Sequence, residues 1–268
     1  MSDVVSVFVG PSPKVRAIGL DRPWAWLAAG WRDLLAAPGI GLVYGAIFSG
    51  AGFLMTVGAW LVGLSYLVMP LLAGFMLVAP ILAVGLYEVS RRLEAGQPTA
   101  LAPALTAWRA NRTQIALLGV LLMLFLLAWI RFATLLFALF FSKSPPGLDD
   151  FLLQVLNSAN GLSFLVVGTL IGAGLAALVF AISAVSVPML LDQQTNVFAA
   201  VATSFVAVRH NLRPMGLWAI LIVIFTGLGL ATFFIGLIVA LPLIGHATWH
   251  AYRDLVLPMP ASDAAKPL

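Results

Sequence analysis

The chain divides at its charged residues into long apolar stretches: Ile40 to Ser65, Leu67 to Val89, Ile115 to Phe141, Leu162 to Leu191, and Met215 to about Tyr252. None has the two-residue alternation of a strand, and each could cross roughly 30 Å of hydrocarbon as a helix of about 20 residues. At 1.5 Å per residue the last stretch would be about 57 Å long as one helix, nearly twice the membrane. It is therefore expected to fold as two spans with a turn near Gly227, Gly229 or Thr232. Gly63 and Ser65 separate the first two stretches, and the pattern predicts six spans in all.

Three shorter segments have helical rather than continuous hydrophobicity. Leu101, Leu105 and Trp108 recur at i, i+4 and i+7 before Arg109. Val201, Phe205 and Val208 do the same before Arg209, and Trp24, Ala28 and Trp31 before Arg32. The first two segments align at an offset of 100, pairing Ala107 with Ala207, Arg109 with Arg209 and Asn111 with Asn211. Pro80, Pro188 and Pro242 each lie late in the second span of a pair, where a missing N–H should kink the helix.

The predicted fold is all-α: a polytopic membrane bundle of six transmembrane helices with three cytoplasmic interfacial amphipathic helices. It is organised as a pseudo-threefold repeat of interfacial helix plus helical hairpin, in units of about 22–92, 98–192 and 196–255. Residues 1–21 form a cytoplasmic N-terminal segment, 22–256 a single membrane domain, and 257–268 a cytoplasmic tail.

Composition agrees with this pattern and excludes other classes. Hydrophobic residues make up 62% and charged residues 9% of the 268, whereas soluble domains carry about 25% charged residues. Mean hydropathy is +1.07. With no cysteine, thiolate metal sites, disulfides and thiol nucleophiles are all absent. The first 20 residues contain no apolar core of signal-peptide length. Twelve of the fourteen Lys and Arg residues fall on the side shared by both termini, Lys143 lies opposite, and Arg131 lies within a span. The positive-inside rule puts both termini in the cytoplasm of a multi-pass protein of the bacterial inner membrane. This positive charge is spread over several connections, so membrane lipids are the expected partners and nucleic acid is not.

Few residues carry candidate chemistry. Arg131 lies deep in the third span, where a bare guanidinium costs about 2.5 to 3.5 kcal/mol. Either it snorkels toward Asp149 and Asp150 or it marks a solute or ion pathway. Glu88 precedes Arg91 and Arg92 at i+3 and i+4, the spacing of a helical ion pair. His246 and His250 share one helix face as two metal ligands would, though Ala247 stands where a zinc hydrolase of the usual kind has Glu. Anchoring at the interface with Trp249 and Tyr252 explains them more simply than metal or haem. Arg32, Arg109 and Arg209 with Trp24, Trp31 and Trp108 are the expected lipid-interface residues. The chain has no Gly-rich phosphate loop and no nucleophile motif, so no catalytic residue, no cofactor and no enzymatic activity are expected.

The segment Pro242-Leu243-Ile244-Gly245-His246-Ala247-Thr248-Trp249-His250-Ala251-Tyr252-Arg253, with Pro80 to Arg92 and Ser186 to Asp192, resembles a proteobacterial family of predicted integral membrane proteins of unknown function. Members of that family are sometimes labelled cytochrome c oxidase subunit I-like. The resemblance implies an inner-membrane location and brings no catalytic residue. Three histidines cannot supply the roughly six that a haem-copper core would need, so the resemblance leaves an accessory or assembly role beside a respiratory complex or another membrane-protein partner. The expected function is that of a non-enzymatic accessory, assembly or membrane-organising factor. The alternative is a small-solute or ion transporter or channel with Arg131 on the pathway.

Overall fold

The computed structural model describes residues 4–6, 14–64, 67–141, 155, 157–158 and 160–257. Short strands β1 (Val4–Ser6) and β2 (Lys14–Arg16) precede α1 (Arg22–Ala36), α2 (Pro38–Leu61), α3 (Val68–Leu82) and α4 (Val84–Glu94). Then come α5 (Leu101–Thr106, continued as a 3-10 turn over Ala107–Asn111), α6 (Arg112–Phe141), α7 (Gly161–Ser183) and α8 (Ser186–Asp192). The chain closes with α9 (Val197–His210), α10 (Leu212–Ala231), α11 (Leu237–Leu255) and β3 (Val256–Leu257).

Among the described residues, five stretches are long and apolar enough to cross a membrane: Pro38–Leu61, Pro70–Glu94, Leu101–Phe141, Gly161–Asp192 and Leu212–Ala231. The last apolar stretch of the sequence does split in two, turning after α10. Phe233 and Phe234 adopt positive φ there, and the Thr232 hydroxyl accepts from the Gly236 N–H at 2.8 Å. The second half, α11, is not among the five, because His246, His250, Arg253 and Asp254 interrupt its apolar residues.

The chain forms two compact units, one from Met1–Gly50, Pro80–Leu118 and Ala181–Leu268, the other from Ala51–Ala79 and Gly119–Phe180. In the first, α4, α8 and α11 pack on one another, and each carries one further helix: α1 lies along α11, α5 on α4 and α9 on α8. Glycine permits the closest of these approaches. A Cβ on Gly30 of α1 would sit 2.6 Å from the Ala247 backbone nitrogen and 2.9 Å from the Leu243 carbonyl oxygen. A Cβ on Gly45 of α2 would collide with the Ile238 carbonyl, the group that Pro242 frees by having no N–H to donate.

The three prolines act differently from one another. The helix is interrupted at Ala184–Val185, four and three residues before Pro188, and α3 ends two residues after Pro80. Pro242 lies inside a helix that runs unbroken from Leu237 to Leu255. It sits close to the start of that helix, so only the first turn loses a bond.

A small antiparallel sheet supplements the all-α expectation. β2 pairs with β1 (Val4↔Arg16) and with β3 (Lys14↔Leu257, Val15↔Val256). The segment before α1 and the segment after α11 are therefore hydrogen-bonded together, and Val15 is fully buried.

In the second unit, Trp129 of α6 donates its indole N–H to the Pro70 carbonyl at 2.8 Å. Gly74 and Gly172 provide room beside the same ring. Phe137, Phe141 and Phe164 stack near one end.

Candidate membrane-interface site

The short helices α1, α5 and α9 each have two apolar faces. Their inner faces bury Trp26, Leu27 and Leu34 in α1, Ala104 and Ala107 in α5 with its continuation, and Val197, Ala200 and Ala207 in α9. Their outer faces carry the stripes read from the sequence. Trp24 is 56% exposed and Trp31 45%. Leu101, Leu105 and Trp108 are exposed, as are Phe205 and, about two turns earlier, Phe198, which is 82% exposed. Val201 and Val208 are half-buried along that line. Apolar surface of this extent facing away from the protein marks contact with a membrane or a partner.

Charge is sorted on the same plan. Arg22 donates to Asp254 at 2.6 Å, the Trp26 indole N–H donates to the same oxygen at 3.0 Å, and Arg16 lies 3.9 Å from the other oxygen. Glu88 binds Arg91 at 2.7 Å and Arg92 at 2.6 Å, the ion pair expected from its spacing. Glu94 accepts from Trp249 and Arg253, while Asp192 accepts from Tyr252 and lies 3.5 Å from Arg253. Asp33 meets His250 at 2.8 Å. Burial works to raise the Asp33 carboxyl, but hydrogen bonds from His250 and Ser90 outweigh it and hold the group below its ordinary value.

Every described carboxylate except Asp21 is thus engaged by an arginine or, for Asp33, by the His250 ring, while Arg32, Arg109, Arg112, Arg209 and Arg213 are exposed and form no ion pair among the described residues. Arg109 has its guanidinium 5.6 Å from the centre of the Trp108 ring. The uncompensated positive charge therefore lies beside the exposed Trp, Leu and Phe residues.

The two α11 histidines take separate roles. His246 is fully buried, with Nδ1 2.8 Å from the Ser90 hydroxyl and no hydrogen-bond partner for Nε2 among the described residues. His250 is held by Asp33. Trp249 and Tyr252 are each 1% exposed, so these four residues are internal ties between helices, which corrects the expectation that they anchor at the interface. No group of three or more His, Cys, Asp or Glu that could hold a metal ion occurs among the described residues. Arg131 is exposed on α6 without an ion pair among the described residues. Asp149 and Asp150, its expected partners, lie outside the described residues.

Two side chains that the sequence aligned without giving them a role turn out to be connectors. The Asn111 amide donates to the Thr195 carbonyl just before α9, and the Asn211 amide to the Arg16 carbonyl before α1, each at 3.0 Å. Their identity at the same offset as Arg109 and Arg209 was the available signal.

Residues 68–192 match a family described as predicted integral membrane protein (DUF2189). The segment carries the DUF2189 signature. No curated protein and no solved structure matches the chain. The DUF2189 match runs from α3 to α8 and takes in Glu88, Arg91, Arg92, Arg109, Arg131 and Asp192. It meets the resemblance drawn from the sequence, and the protein is an integral membrane protein with several membrane-spanning helices. His246 and His250 lie outside the DUF2189 segment.

Proposed function

We propose that this chain is a six-span, non-enzymatic protein of the bacterial inner membrane, with both termini in the cytoplasm, that gathers anionic lipid around a ring of interfacial helices. The observation that carries the proposal is that Arg32, Arg109 and Arg209, exposed and without an ion pair among the described residues, lie on or directly beside helices whose outer faces expose Trp, Leu and Phe. Support for even-numbered crossing comes from β2 and β3, since hydrogen-bonded segments at the two ends of the membrane domain lie on one side of it. With five apolar spans, α11 is then the sixth. The repeat draws support from the cyclic order of packing: the short helix of each unit docks on the returning helix of the unit before it, and α1 docks on that of the last. Fusion of a periplasm-activated reporter behind Leu268 is expected to give no signal, and an active fusion would contradict the topology.

The lipid function makes a second prediction. Each exposed arginine beside an anionic leaflet contributes about 1 kcal/mol, roughly a fivefold local preference for anionic over zwitterionic lipid. In nanodiscs, brominated phosphatidylglycerol should quench the exposed tryptophans more strongly than brominated phosphatidylcholine does. The combined variant R32Q/R109Q/R209Q should lose that preference. Equal quenching by both lipids in the unmodified protein would refute the proposal.

The transport alternative draws on Arg131 alone. Arg131 lies sixteen residues beyond Ile115, about 24 Å along the helix. That leaves its head group within snorkelling reach of the far interface of a roughly 30 Å hydrocarbon layer, and the anchoring role is the one we adopt for it.

A further inference from the structure

We infer that the cleft between α4 and α5 binds a phosphate-bearing anion, the headgroup phosphate of an anionic phospholipid. The inference deepens the lipid reading above and rests on it. A cavity of about 450 Å³ is lined by Glu88, Arg91 and Arg92 on one side and by Ala102, Pro103, Thr106, Ala107 and Ala110 on the opposite side. The Glu88 carboxylate accepts from Nε and Nη2 of Arg91 at 2.7 and 2.9 Å, and from Nε of Arg92 at 2.6 Å. Arg92 also donates from Nη1 to the Pro98 carbonyl at 3.3 Å.

One carboxylate shared by two guanidinium groups leaves the cleft with a net positive charge. Asp192, whose field also reaches Arg91, is itself bonded to Tyr252 and close to Arg253. Nη1 of Arg91 and Nη2 of Arg92 have no acceptor among the described residues. Because Glu88 already holds both side chains, binding an oxyanion immobilises little that was free, and the guanidinium fork matches phosphate geometry.

The opposite wall decides between sources of phosphate. Its one polar side chain, Thr106, spends its hydroxyl hydrogen on the Ala102 carbonyl at 2.8 Å, and the alanine and proline side chains around it offer nothing to free inorganic phosphate but suit the glycerol backbone and first methylenes of a lipid. The wall also belongs to the helix whose outer face exposes Leu101, Leu105 and Trp108, so in the proposed topology the cleft lies at the level where headgroups reside.

The experiment is native mass spectrometry of the full chain in non-ionic detergent, titrated with phosphatidylglycerol or phosphatidylcholine. The unmodified protein should retain one phosphatidylglycerol in preference to phosphatidylcholine. R92Q, which removes a donor pair, and A110F, which fills the cleft without altering charge, should each weaken that retention about tenfold or more. R92Q carries the test by itself if A110F fails to fold, with the melting temperature as the check on its own folding. Unchanged retention in R92Q would overturn the inference, and displacement of the lipid by millimolar inorganic phosphate would overturn the headgroup assignment in favour of a soluble ligand. R32Q/R109Q/R209Q should keep the cleft lipid while losing bulk preference, so failure of this site and failure of the interfacial reading are separate results.

Discussion

Replacing Gly30 with leucine is expected to lower stability by about 3 kcal/mol and to detach α1 from α11. The reason is the identity of the neighbours. A side chain at Gly30 would meet the Ala247 nitrogen and the Leu243 carbonyl, which are backbone atoms of a continuous helix and cannot rotate away as a side chain could. The two helices would have to separate, exposing Trp26 and Leu27, now buried at 1% and 8% exposure. The measurement is the unfolding midpoint in mixed detergent. Gly216→Ala is the matched control: a Cβ there meets nothing within 4 Å, so it should be neutral or, through helix propensity, stabilising by about 1 kcal/mol. Equal midpoints for the Gly30 and Gly216 variants would show that the close approach carries no weight.

Asp254→Ala is expected to have the next largest effect. This one carboxylate receives Arg22 and the Trp26 indole and lies near Arg16, and it raises the affinity of Arg22 for its proton, chiefly through that hydrogen bond. Without it the largely buried indole N–H of Trp26 loses its acceptor and two arginines lose their counter-charge, a loss of about 2 to 3 kcal/mol. Because Arg16 lies in β2 and Arg22 begins α1, the damage should concentrate in the β2–β3 pairing. Hydrogen exchange at residues 14–16 should accelerate more than at the centre of α11. Uniform protection in the variant would contradict this.

These cases show which parts of the fold can be read from a sequence in an apolar solvent. The stripes of Trp24, Ala28 and Trp31, and of Leu101, Leu105 and Trp108, were legible because their period is helical and each ends at an arginine. The opposite stripe of α1, with Trp26, Leu27, Gly30 and Leu34, is as apolar, and hydrophobicity cannot tell a face that meets lipid from one that meets protein. Glu88 with Arg91 and Arg92 was legible because the partners are one turn apart. Asp254 with Arg22, and Asp33 with His250, were not, because each pair joins opposite ends of the chain. The histidine spacing correctly put two rings on adjacent turns. Their separate partners, Ser90 from α4 and Asp33 from α1, depend on packing that no local pattern encodes. The strands are two or three residues long, too short for any alternation to register.

The docking of α1 on α11 also sets the order of assembly. α1 leaves the ribosome roughly 200 residues before the helix that receives it, a wait of about 10 to 40 seconds at 5–20 residues per second. Throughout that interval α1 lacks the helix it packs on most, and Asp33 and Arg22 have no counter-charge from α11; α10 precedes α11 with Trp218, whose ring meets Trp26 edge-on at 5.7 Å. The face of the nascent helix that α11 will cover must meanwhile rest on the bilayer or on an insertion factor. The ring then closes in one late step. A chain stopped short of α11 would lose more than its third unit, because its first helix would also be left undocked.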